Sequence, residues 1–313
     1  MKLAVLGAGA VGRAVVDFAG EYGHSVAAVA DSGSAVVDAD GVEPEAVLAR
    51  KREEGVVGDS DPAEALAADY DVLVEASPTT LGDAEPGFGH VRSALETDRH
   101  VVLANKGPVA ERYDDVRALA EESAGDLRFE ATVGGAIPAL ATIEGVGPSR
   151  VNAARGVLNG TANFVLSRMA AEGLSYEHVL AEAQDLGVAE ADPSFDVDGT
   201  DAALKCAILA NVIHGGGYSL SDVDVDGITE IPPSALDLAA EESRTVRLVG
   251  EVTAGGVRVG PRLVPEHGTL AVTRTTNIVQ LETEHAGRLN PSGQGAGGAA
   301  TASAVLADVD RLD

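Results

Sequence analysis

The sequence predicts an α/β protein: a doubly wound parallel sheet followed by a second, α+β domain. Through about residue 135, apolar segments that end abruptly in glycine or polar residues alternate with segments of helical character. Strands that are apolar along their whole length are typical of a parallel sheet covered by helices on both faces. The predicted strands are residues 2–6, 25–30, 71–76, 100–104 and 127–133, and the predicted helices include 11–22, 63–68 and 114–123.

Beyond residue 135 this alternation stops. A strand is predicted at 150–158, helices at 162–172, 176–186 and 201–214, and strand-like stretches near 251–264 and 271–281. We therefore expect one domain at 1–135 and an α+β domain at 136–285. The last part, 286–313, is glycine-rich and then helical, and we expect it to return to the first domain.

The charge of the chain limits its partners. It has 313 residues with 50 acidic against 22 basic side chains, a net charge of −28. Nucleic acids and anionic membranes would be repelled. Acidic residues are spread along the whole chain, which indicates a surface suited to a high-salt cytoplasm, where counterions screen self-repulsion.

Two further absences in the sequence bear on location and chemistry. The single cysteine, Cys206, excludes an internal disulfide and any site built from several cysteines. No run of 18 apolar residues occurs, so no transmembrane helix is expected. We expect a cytoplasmic protein.

The first predicted strand is followed directly by a glycine motif that opens a helix. Gly7, Gly9 and Gly12, with Ala10 and Val11 between the last two, form a GxGxxG pattern. In this context the glycines allow a tight turn, close approach of a pyrophosphate, and close helix packing. The free amides at the helix N-terminus suit the phosphates. The motif therefore predicts a Rossmann-type domain that binds NAD or NADP.

Asp31 ends the second predicted strand, where such domains place a carboxylate for the ribose hydroxyls. A carboxylate there favours NAD, because it repels the 2′-phosphate of NADP. Lys51 and Arg52 follow before the next predicted strand and supply positive charge. The preference between the two cofactors is therefore left open.

Other candidate ligand residues follow the ends of the remaining predicted strands. Ligands in open α/β sheets bind beyond the carboxyl ends of the strands. Those positions hold Ser77 and Pro78, then Lys106, and further on Gly135. We expect them to surround one crevice with the glycine turn, with Lys106 facing the cofactor or the substrate.

The chain keeps only four lysines against 18 arginines, so each retained lysine calls for an explanation. A lysine amine can donate and recover a proton, which an arginine cannot do. Lys205 follows Asp201 by four residues, on one face of a predicted helix that is apolar nearly all round. A buried pair of this kind gives little stability, so we interpret it as catalytic. Lys205 would protonate a carbonyl oxygen as hydride arrives, or accept the alcohol proton in reverse.

The order and spacing of these motifs resemble homoserine dehydrogenases along nearly the whole chain. Members of that family interconvert L-aspartate 4-semialdehyde and L-homoserine with NAD or NADP, in the biosynthesis of threonine, methionine and isoleucine. The matching segments are GAGAVG at 7–12, SPTT at 77–80, ANKGPVA at 104–110, EATVGGAIP at 130–138, RGVLNGTANFVL at 155–166, GVAEADPSFDVDGTDAALK at 187–205, and GQGAGGAATASAVLAD at 293–308.

The resemblance implies roles for particular residues. Lys205 is similar to the family's proton donor, Asp201 to its substrate-side partner, and Lys106 to the lysine that touches cofactor and substrate. Glu190, in a G-x-x-E motif, matches the residue that holds the substrate amino group. Further implied residues are Asp196 and Thr161 for the substrate, and Gly187, Glu190 and Gly297 for the cofactor.

The resemblance also implies an ion and an assembly. Glu130 and the backbone carbonyls of Val133, Gly135 and Ile137 are similar to the family's sodium site. Family members are typically homodimers through the substrate domain. The longer members add a C-terminal regulatory domain, which we do not expect in this short chain. Val188, Ala191 and Gln294 depart from the family's pattern, in the loops and not among the proton-transfer residues.

Two alternatives remain open from the residues themselves. An aspartate dehydrogenase-like enzyme would share the first domain only, and the segment 187–205 argues against it. A non-enzymatic redox sensor would bind a dinucleotide but would have no use for a buried pair of Asp201 and Lys205. We expect an oxidoreductase acting on a small amino-acid aldehyde.

Overall fold

The computed structural model describes residues 1–312, which divide into two compact units. The first consists of Met1–Ala136 together with the chain from Ala296 onward, and the second is Ile137–Gly295. The return to the first unit was expected from residue 286. It occurs ten residues later, because residues 288–294 still pair with a strand of the second unit.

The first unit is a sheet with helices between its strands. Its elements up to Ala136 are β1 (Lys2–Leu6), α1 (Ala10–Phe18), β2 (Ser25–Ala30), β3 (Ala35–Val37), α2 (Pro44–Glu54), α3 (Pro62–Ala67), β4 (Val72–Glu75), α4 (Gly87–Leu95), β5 (His100–Leu103), α5 (Gly107–Glu111), α6 (Tyr113–Glu122), β6 (Leu127–Arg128) and α7 (Ala131–Gly134). The strand order is β3-β2-β1-β4-β5-β6, with only β3 antiparallel to its neighbour. This order confirms the Rossmann-type α/β class.

The second unit combines a largely antiparallel sheet with helices. Its elements are α8 (Ala139–Val146), β7 (Val151–Val157), α9 (Gly160–Glu172), α10 (Tyr176–Asp185), α11 (Ser194–Val197), α12 (Thr200–His214), β8 (Val223–Val225), α13 (Pro233–Glu241), β9 (Arg244–Thr253), β10 (Gly256–Pro265), β11 (Thr276–Thr283), β12 (Arg288–Leu289) and β13 (Ser292–Gln294). The strand order is β12-β11-β7-β9-β10-β8, and β13 also pairs with β11. Helix α12 is buried along nearly its whole length, as its apolar sequence indicates.

The C-terminal helix α14 (Gly298–Val309) belongs to the first unit and packs against α1. Its apolar side chains, among them Ala302 and Val305, join the core formed by Val5, Val15 and Val74. Covering this part of the sheet therefore requires a segment from the far end of the chain.

The predicted strand at 127–133 is wrong beyond Arg128. The strand ends there, and residues 131–134 form the short helix α7. The Thr132 hydroxyl donates a hydrogen bond to the Phe129 carbonyl, and the amide of Glu130 donates to Asp308 Oδ2 at 2.8 Å. These local and long-range bonds take the place of hydrogen bonds to a neighbouring strand. A sequence pattern of apolar residues does not reveal them.

Two predicted strand stretches of the second unit also differ from the structure. The stretch at 251–264 contains a hairpin turn, so that β9 and β10 are separate antiparallel strands. In the stretch at 271–281, residues 271–275 precede β11 as a loop. None of the helices in residues 1–312 is long and apolar enough to cross a membrane.

Candidate functional site

The turn between β1 and α1 has the geometry that a dinucleotide requires. Gly7 has φ 103°, and a Cβ there would lie 2.3 Å from the carbonyl oxygen of Ala76. A Cβ at Gly12 would lie 1.8 Å from the carbonyl oxygen of Gly7, whereas one at Gly9 would meet nothing within 4 Å. Close packing therefore excludes a side chain at Gly7 and at Gly12. Gly9, by contrast, has open space beside it just before Ala10, where α1 begins. This arrangement fits a pyrophosphate at a helix N-terminus.

The C-terminal glycine loop lies beside this turn. Gly297 has φ 110°, which a residue with a side chain rarely adopts. A Cβ at Gly298 would approach the Ala10 carbonyl oxygen to 2.6 Å. Glycine is therefore needed for the loop to reach the start of α1, which accounts for the position of Gly297 next to the predicted cofactor turn.

Asp31 directly follows β2 and is fully engaged in hydrogen bonds. Its Oδ1 accepts from the amides of Gly33 and Ser34 and from the Ser34 hydroxyl, and Lys51 Nζ donates to its Oδ2 over 2.6 Å. Burial raises the pKa of Asp31, but the hydrogen bond from Lys51 and those from Gly33 and Ser34 outweigh it, so the pKa lies below its ordinary value. One of the two positive charges that follow Asp31 in the sequence, that of Lys51, thus pairs directly with the Asp31 carboxylate.

Glu75, at the end of β4, is a buried residue that the sequence analysis missed. It is 0% exposed, and His90 Nδ1 lies 2.7 Å from its Oε2. Its Oε1 accepts from the amide and hydroxyl of Ser77 and from Asn105 Nδ2. One carboxylate thus ties together the segments that follow β4 and β5. The sequence did offer one signal for Glu75, because it is a charged residue at the end of an otherwise apolar strand.

The other predicted residues of this unit follow the same strand ends. Pro78 is exposed next to Ser77, and Lys106 is half-buried immediately before α5. The amide of Lys106 donates to the Thr79 hydroxyl over 3.4 Å. The loops after β4 and β5 are therefore linked to each other, directly here and also through Glu75.

In the second unit, Lys205 and Asp201 form a buried pair on α12. They are 6% and 7% exposed, and Lys205 Nζ donates to Asp201 Oδ2 over 2.7 Å. The same nitrogen donates to the carbonyl oxygen of Leu158, also over 2.7 Å. Among the contacts that residues 1–312 provide, these acceptors use two of the three N–H groups of an ammonium. The third N–H group has no acceptor among these contacts.

Two asparagines and a further aspartate extend this network. Asn159 Nδ2 donates to Asp201 Oδ2 over 2.8 Å and to Asp196 Oδ1 over 2.6 Å. Asn277 Nδ2 donates to the carbonyl oxygen of Leu158 over 2.8 Å, the same acceptor that Lys205 uses. The structure therefore joins Asp196, Asp201 and Lys205 through two asparagines that the sequence analysis did not single out. Asn159 lies inside the segment 155–166 quoted above, but its side-chain bonds depend on tertiary contacts.

The remaining predicted substrate residues belong to the same unit, with Thr161 in the first turn of α9 and Glu190 in the loop between α10 and α11. The Thr161 hydroxyl donates to the carbonyl oxygen of Val188 over 3.1 Å, next to Gly187, which has φ 68°. Glu190 is exposed, and its carbonyl accepts a hydrogen bond from Gln184 Nε2 over 3.1 Å. Its carboxylate is thus accessible to a charged ligand group, in contrast to the buried Asp201.

The predicted sodium ligands are backbone carbonyls and one carboxylate. Glu130 is 6% exposed, Val133 lies in α7, and Gly135 follows that helix with φ 55°. The carbonyl of Ile137, the first residue of the second unit, accepts from the Ala139 amide over 2.8 Å. Within residues 1–312, no group of three or more His, Cys, Asp or Glu side chains could hold a metal ion.

The parallel sheet and its glycine turn define the class of protein, one with a Rossmann-type dinucleotide-binding domain. Comparisons with known proteins make this more specific. A family model described as homoserine dehydrogenase matches residues 138–309, and one described as Glutamate/Leucine/Phenylalanine/Valine dehydrogenase matches residues 1–82.

Individual relatives and solved structures agree with the first of these models. The homoserine dehydrogenase of Methanocaldococcus jannaschii is 36% identical, with 99% of this chain and 97% of that protein covered. That of Bacillus subtilis is 40% identical over 77% of this chain and 56% of its own length. A putative homoserine dehydrogenase from Archaeoglobus fulgidus has a TM-score of 0.93 and 41% identity, covering 99% and 98% of the two chains.

The chain belongs to the homoserine dehydrogenase family. A hyperthermophilic archaeal member solved in complex with NADPH has a TM-score of 0.86 and 27% identity, with 99% of this chain and 96% of that chain covered. These findings support the predicted enzyme class and a nicotinamide dinucleotide as cofactor. They do not support the aspartate dehydrogenase-like enzyme or the redox sensor.

Proposed function

We propose that this chain interconverts L-homoserine and L-aspartate 4-semialdehyde, with Lys205 as the group that transfers the proton. In the oxidative direction the C4–H bond of the substrate breaks. A bound NAD⁺ or NADP⁺ would supply the acceptor for its hydrogen and electron pair, transferred together as hydride. The hydroxyl proton passes to the neutral amine of Lys205, and the C4–O bond becomes a carbonyl. The reverse reaction uses the ammonium form as the proton donor.

The burial of Lys205 is the observation that carries this proposal. Its Nζ is held by Asp201 Oδ2 and the Leu158 carbonyl, each at 2.7 Å. A fixed amine with a remaining N–H can approach a substrate oxygen in one orientation. Oxidation requires the neutral amine, so this direction should become faster with rising pH.

Carboxylates near this amine suit the polar groups of the amino-acid substrate. We assign Asp201, Asp196 and Thr161 to the binding of the substrate, and Glu190 to its ammonium group. Lys106 completes the catalytic set. The dinucleotide is assigned to Gly7, Gly9, Ala10, Val11, Gly12, Asp31, Ser77, Pro78, Lys106, Gly187, Glu190 and Gly297.

Lys205→Met tests the proposal because it removes the titratable amine while keeping an unbranched apolar stem. The kcat for homoserine oxidation is expected to fall by about 100-fold or more, since general acid–base catalysis contributes 10²–10⁴-fold. The matched control is Lys2→Met, which removes an exposed lysine that pairs with Asp69 over 3.3 Å. Near-normal turnover of Lys205→Met, with normal binding of the cofactor, would refute the assignment. A panel with homoserine and aspartate checks the substrate.

We propose that the second unit forms a homodimer through its sheet. Helix α12 packs on one face, because a Cβ at Gly250 would lie 2.3 Å from Cys206 Sγ. Side chains alternate along a strand, so Glu251 points to the opposite face. On that face, which α12 does not cover and which we assign to the contact with the partner subunit, Glu251 pairs with Arg155, Arg258 and Arg262 at 2.6 to 3.3 Å. Light scattering that gives the mass of a single chain at micromolar concentration in molar salt would contradict this proposal.

The surface charge supports a proposal about conditions. We propose that the enzyme comes from a halophile and works in a salt-rich cytoplasm, because a net charge of −28 on 313 residues destabilises the compact state when it is not screened. Circular dichroism melts in 0.1, 1 and 3 M KCl are expected to show a rising midpoint. A midpoint that does not change with salt would count against the idea.

A sodium ion at Glu130 and the carbonyls of Val133, Gly135 and Ile137 is also proposed. Hard oxygen ligands suit such a cation, and a buried carboxylate at Glu130 provides the negative charge. The test compares thermal midpoints in NaCl and KCl at equal ionic strength. Sodium should raise the midpoint of the native chain but not that of Glu130→Gln, and equal midpoints for the native chain would oppose the site.

A further inference from the structure

We infer that Asn159 is a positioning residue that joins Asp196 to Asp201 and thereby controls the protonation of Lys205. The inference rests on the proposed function, since it concerns the same amine. Asn159 is 4% exposed and precedes α9, whereas its two carboxylate partners belong to α11 and α12. One neutral side chain therefore connects three helices around the amine.

All three polar functions of the Asn159 side chain are used. Its Oδ1 accepts from the amide of Ala162 over 2.8 Å and so caps the N-terminus of α9. Its Nδ2 carries two hydrogens, which suit the two bonds to Asp196 Oδ1 at 2.6 Å and Asp201 Oδ2 at 2.8 Å. The orientation of the amide is fixed by these contacts, because a flipped amide would place an oxygen against two carboxylates.

The amide lies between two carboxylates, and one of them, Asp201, also binds the buried ammonium of Lys205. Asp201 Oδ2 accepts from both Asn159 and Lys205, so the two donors compete for the electron density of one oxygen. A neutral donor supplies a hydrogen bond to Asp196 and to Asp201 without adding a second cation. Asn159 thereby competes with Lys205 for one oxygen of Asp201, and it fixes which oxygen receives the Lys205 N–H.

Other charged groups occur on the elements that pack against α12, and they set the background for any titration of the amine. Glu251 of β9 is already paired with three arginines, so its charge is largely compensated. The ionisable side chains on those elements, in addition to Asp196, are Glu144, Arg150, Arg155, Asp222, Asp224, Arg244, Arg247, Glu251, Arg258 and Arg262. Neither variant described below alters any of these groups.

Two substitutions separate the capping of α9 by Asn159 from its bonds to Asp196 and Asp201. Aspartate and serine are both good N-cap residues, so Asn159→Asp and Asn159→Ser keep the acceptor for α9 while removing both Nδ2 donors. Asn159→Asp also adds a negative charge beside the network, which favours the ammonium form of Lys205. The pH of half-maximal homoserine oxidation should then rise by about one pH unit. Asn159→Ser should lower kcat by about tenfold through misplacement of the amine, with the KM for the cofactor unchanged.

The matched control is Ser175→Asp, which keeps the N-cap of α10 and adds the same charge at an exposed position. Its pH profile is expected to match that of the native chain. A wild-type pH midpoint for Asn159→Asp, measured on folded protein, would overturn the inference and leave Asn159 as a structural cap only. If Lys205→Met retained activity, the proposed function itself would fail. An inactive Lys205→Met with a wild-type profile for Asn159→Asp would reject the inference alone.

Discussion

Lys205 lies one helical turn beyond Asp201, and its Nζ donates to Asp201 Oδ2 over 2.7 Å within the interior of the second unit. A surface pair at this spacing contributes only a few tenths of a kcal/mol, about 0.3–0.5. A buried pair has to offset the cost of desolvating both charges, so its presence in an apolar helix is better explained by chemistry than by stability. This relationship supports the proposal that Lys205 transfers the proton.

Asp201→Asn is expected to move the pH profile in the direction opposite to Asn159→Asp. Loss of the carboxylate removes the anion that favours the ammonium form of Lys205. Homoserine oxidation should therefore reach half of its maximum at a lower pH, while kcat falls about 10- to 100-fold because the amine is less well oriented. Steady-state kinetics between about pH 7 and 11, a range that includes the ordinary pKa of a lysine amine, measure both effects. A profile displaced to higher pH would contradict the expected sign.

Lys51→Met is expected to reduce the use of NADP more than that of NAD. Lys51 Nζ lies 2.6 Å from Asp31 Oδ2, and without it the carboxylate would repel a 2′-phosphate. The ratio of kcat/KM for NADP to that for NAD should fall by about tenfold, which corresponds to about 1.4 kcal/mol. Arg52→Met, at the exposed neighbouring position, is the control. An unchanged ratio would show that Asp31 does not meet the ribose end of the cofactor.

Asp31 should also make stability depend on pH. Its pKa in the folded chain is lowered, so the stability that it contributes is fully present above its ordinary pKa and is lost as pH falls through the lowered value. The difference in free energy of unfolding between the native chain and Lys51→Met should therefore shrink below about pH 4. Denaturant titrations at several pH values in molar salt measure it. A difference that stays constant would mean that the two charges are not coupled.

Glu75→Gln should weaken the binding of the cofactor and destabilise the first unit. The carboxylate accepts from His90 Nδ1, Asn105 Nδ2 and the Ser77 amide, whereas a glutamine would turn one of its donors toward another donor. A buried unsatisfied group costs about 1–3 kcal/mol. We expect a lower thermal midpoint and a higher KM for the cofactor. Glu85→Gln, an exposed carboxylate in the same segment, serves as the control. A normal KM would place Glu75 outside cofactor binding.

Gly250→Ala should destabilise the second unit through a clash with Cys206. The new Cβ would lie 2.3 Å from Cys206 Sγ, in a region where burial raises the pKa of the thiol to about 12. Overpacking of this kind costs about 1–3 kcal/mol. The double variant Gly250→Ala with Cys206→Ala should recover most of the loss, because the obstructing sulfur is removed. A double variant no more stable than Gly250→Ala would place the strain elsewhere.

Much of the first unit could be predicted because its determinants are local. The strands at 2–6 and 25–30 occur in the structure with the predicted bounds, since each is an apolar run ended by turn residues. The glycine turn was predictable because the backbone conformation itself excludes side chains at Gly7 and Gly12. The structure of the segment 127–133 was not predictable in this way. There the amide of Glu130 donates to Asp308, a residue from the far end of the chain, instead of to a neighbouring strand.

The sequence by itself determined the Rossmann-type sheet, the dinucleotide turn and the i, i+4 pair of Asp201 and Lys205. These depend on periodicity, on glycine conformation and on helical spacing, which short segments encode. Only the tertiary structure decided that Asn159 bridges Asp196 and Asp201, that Lys51 neutralises Asp31, and that Glu75 joins two loops. Apart from the local bond between Glu75 and Ser77, these contacts bring together residues 20 to 42 positions apart. The packing of whole elements selects them, and no local sequence pattern records that packing.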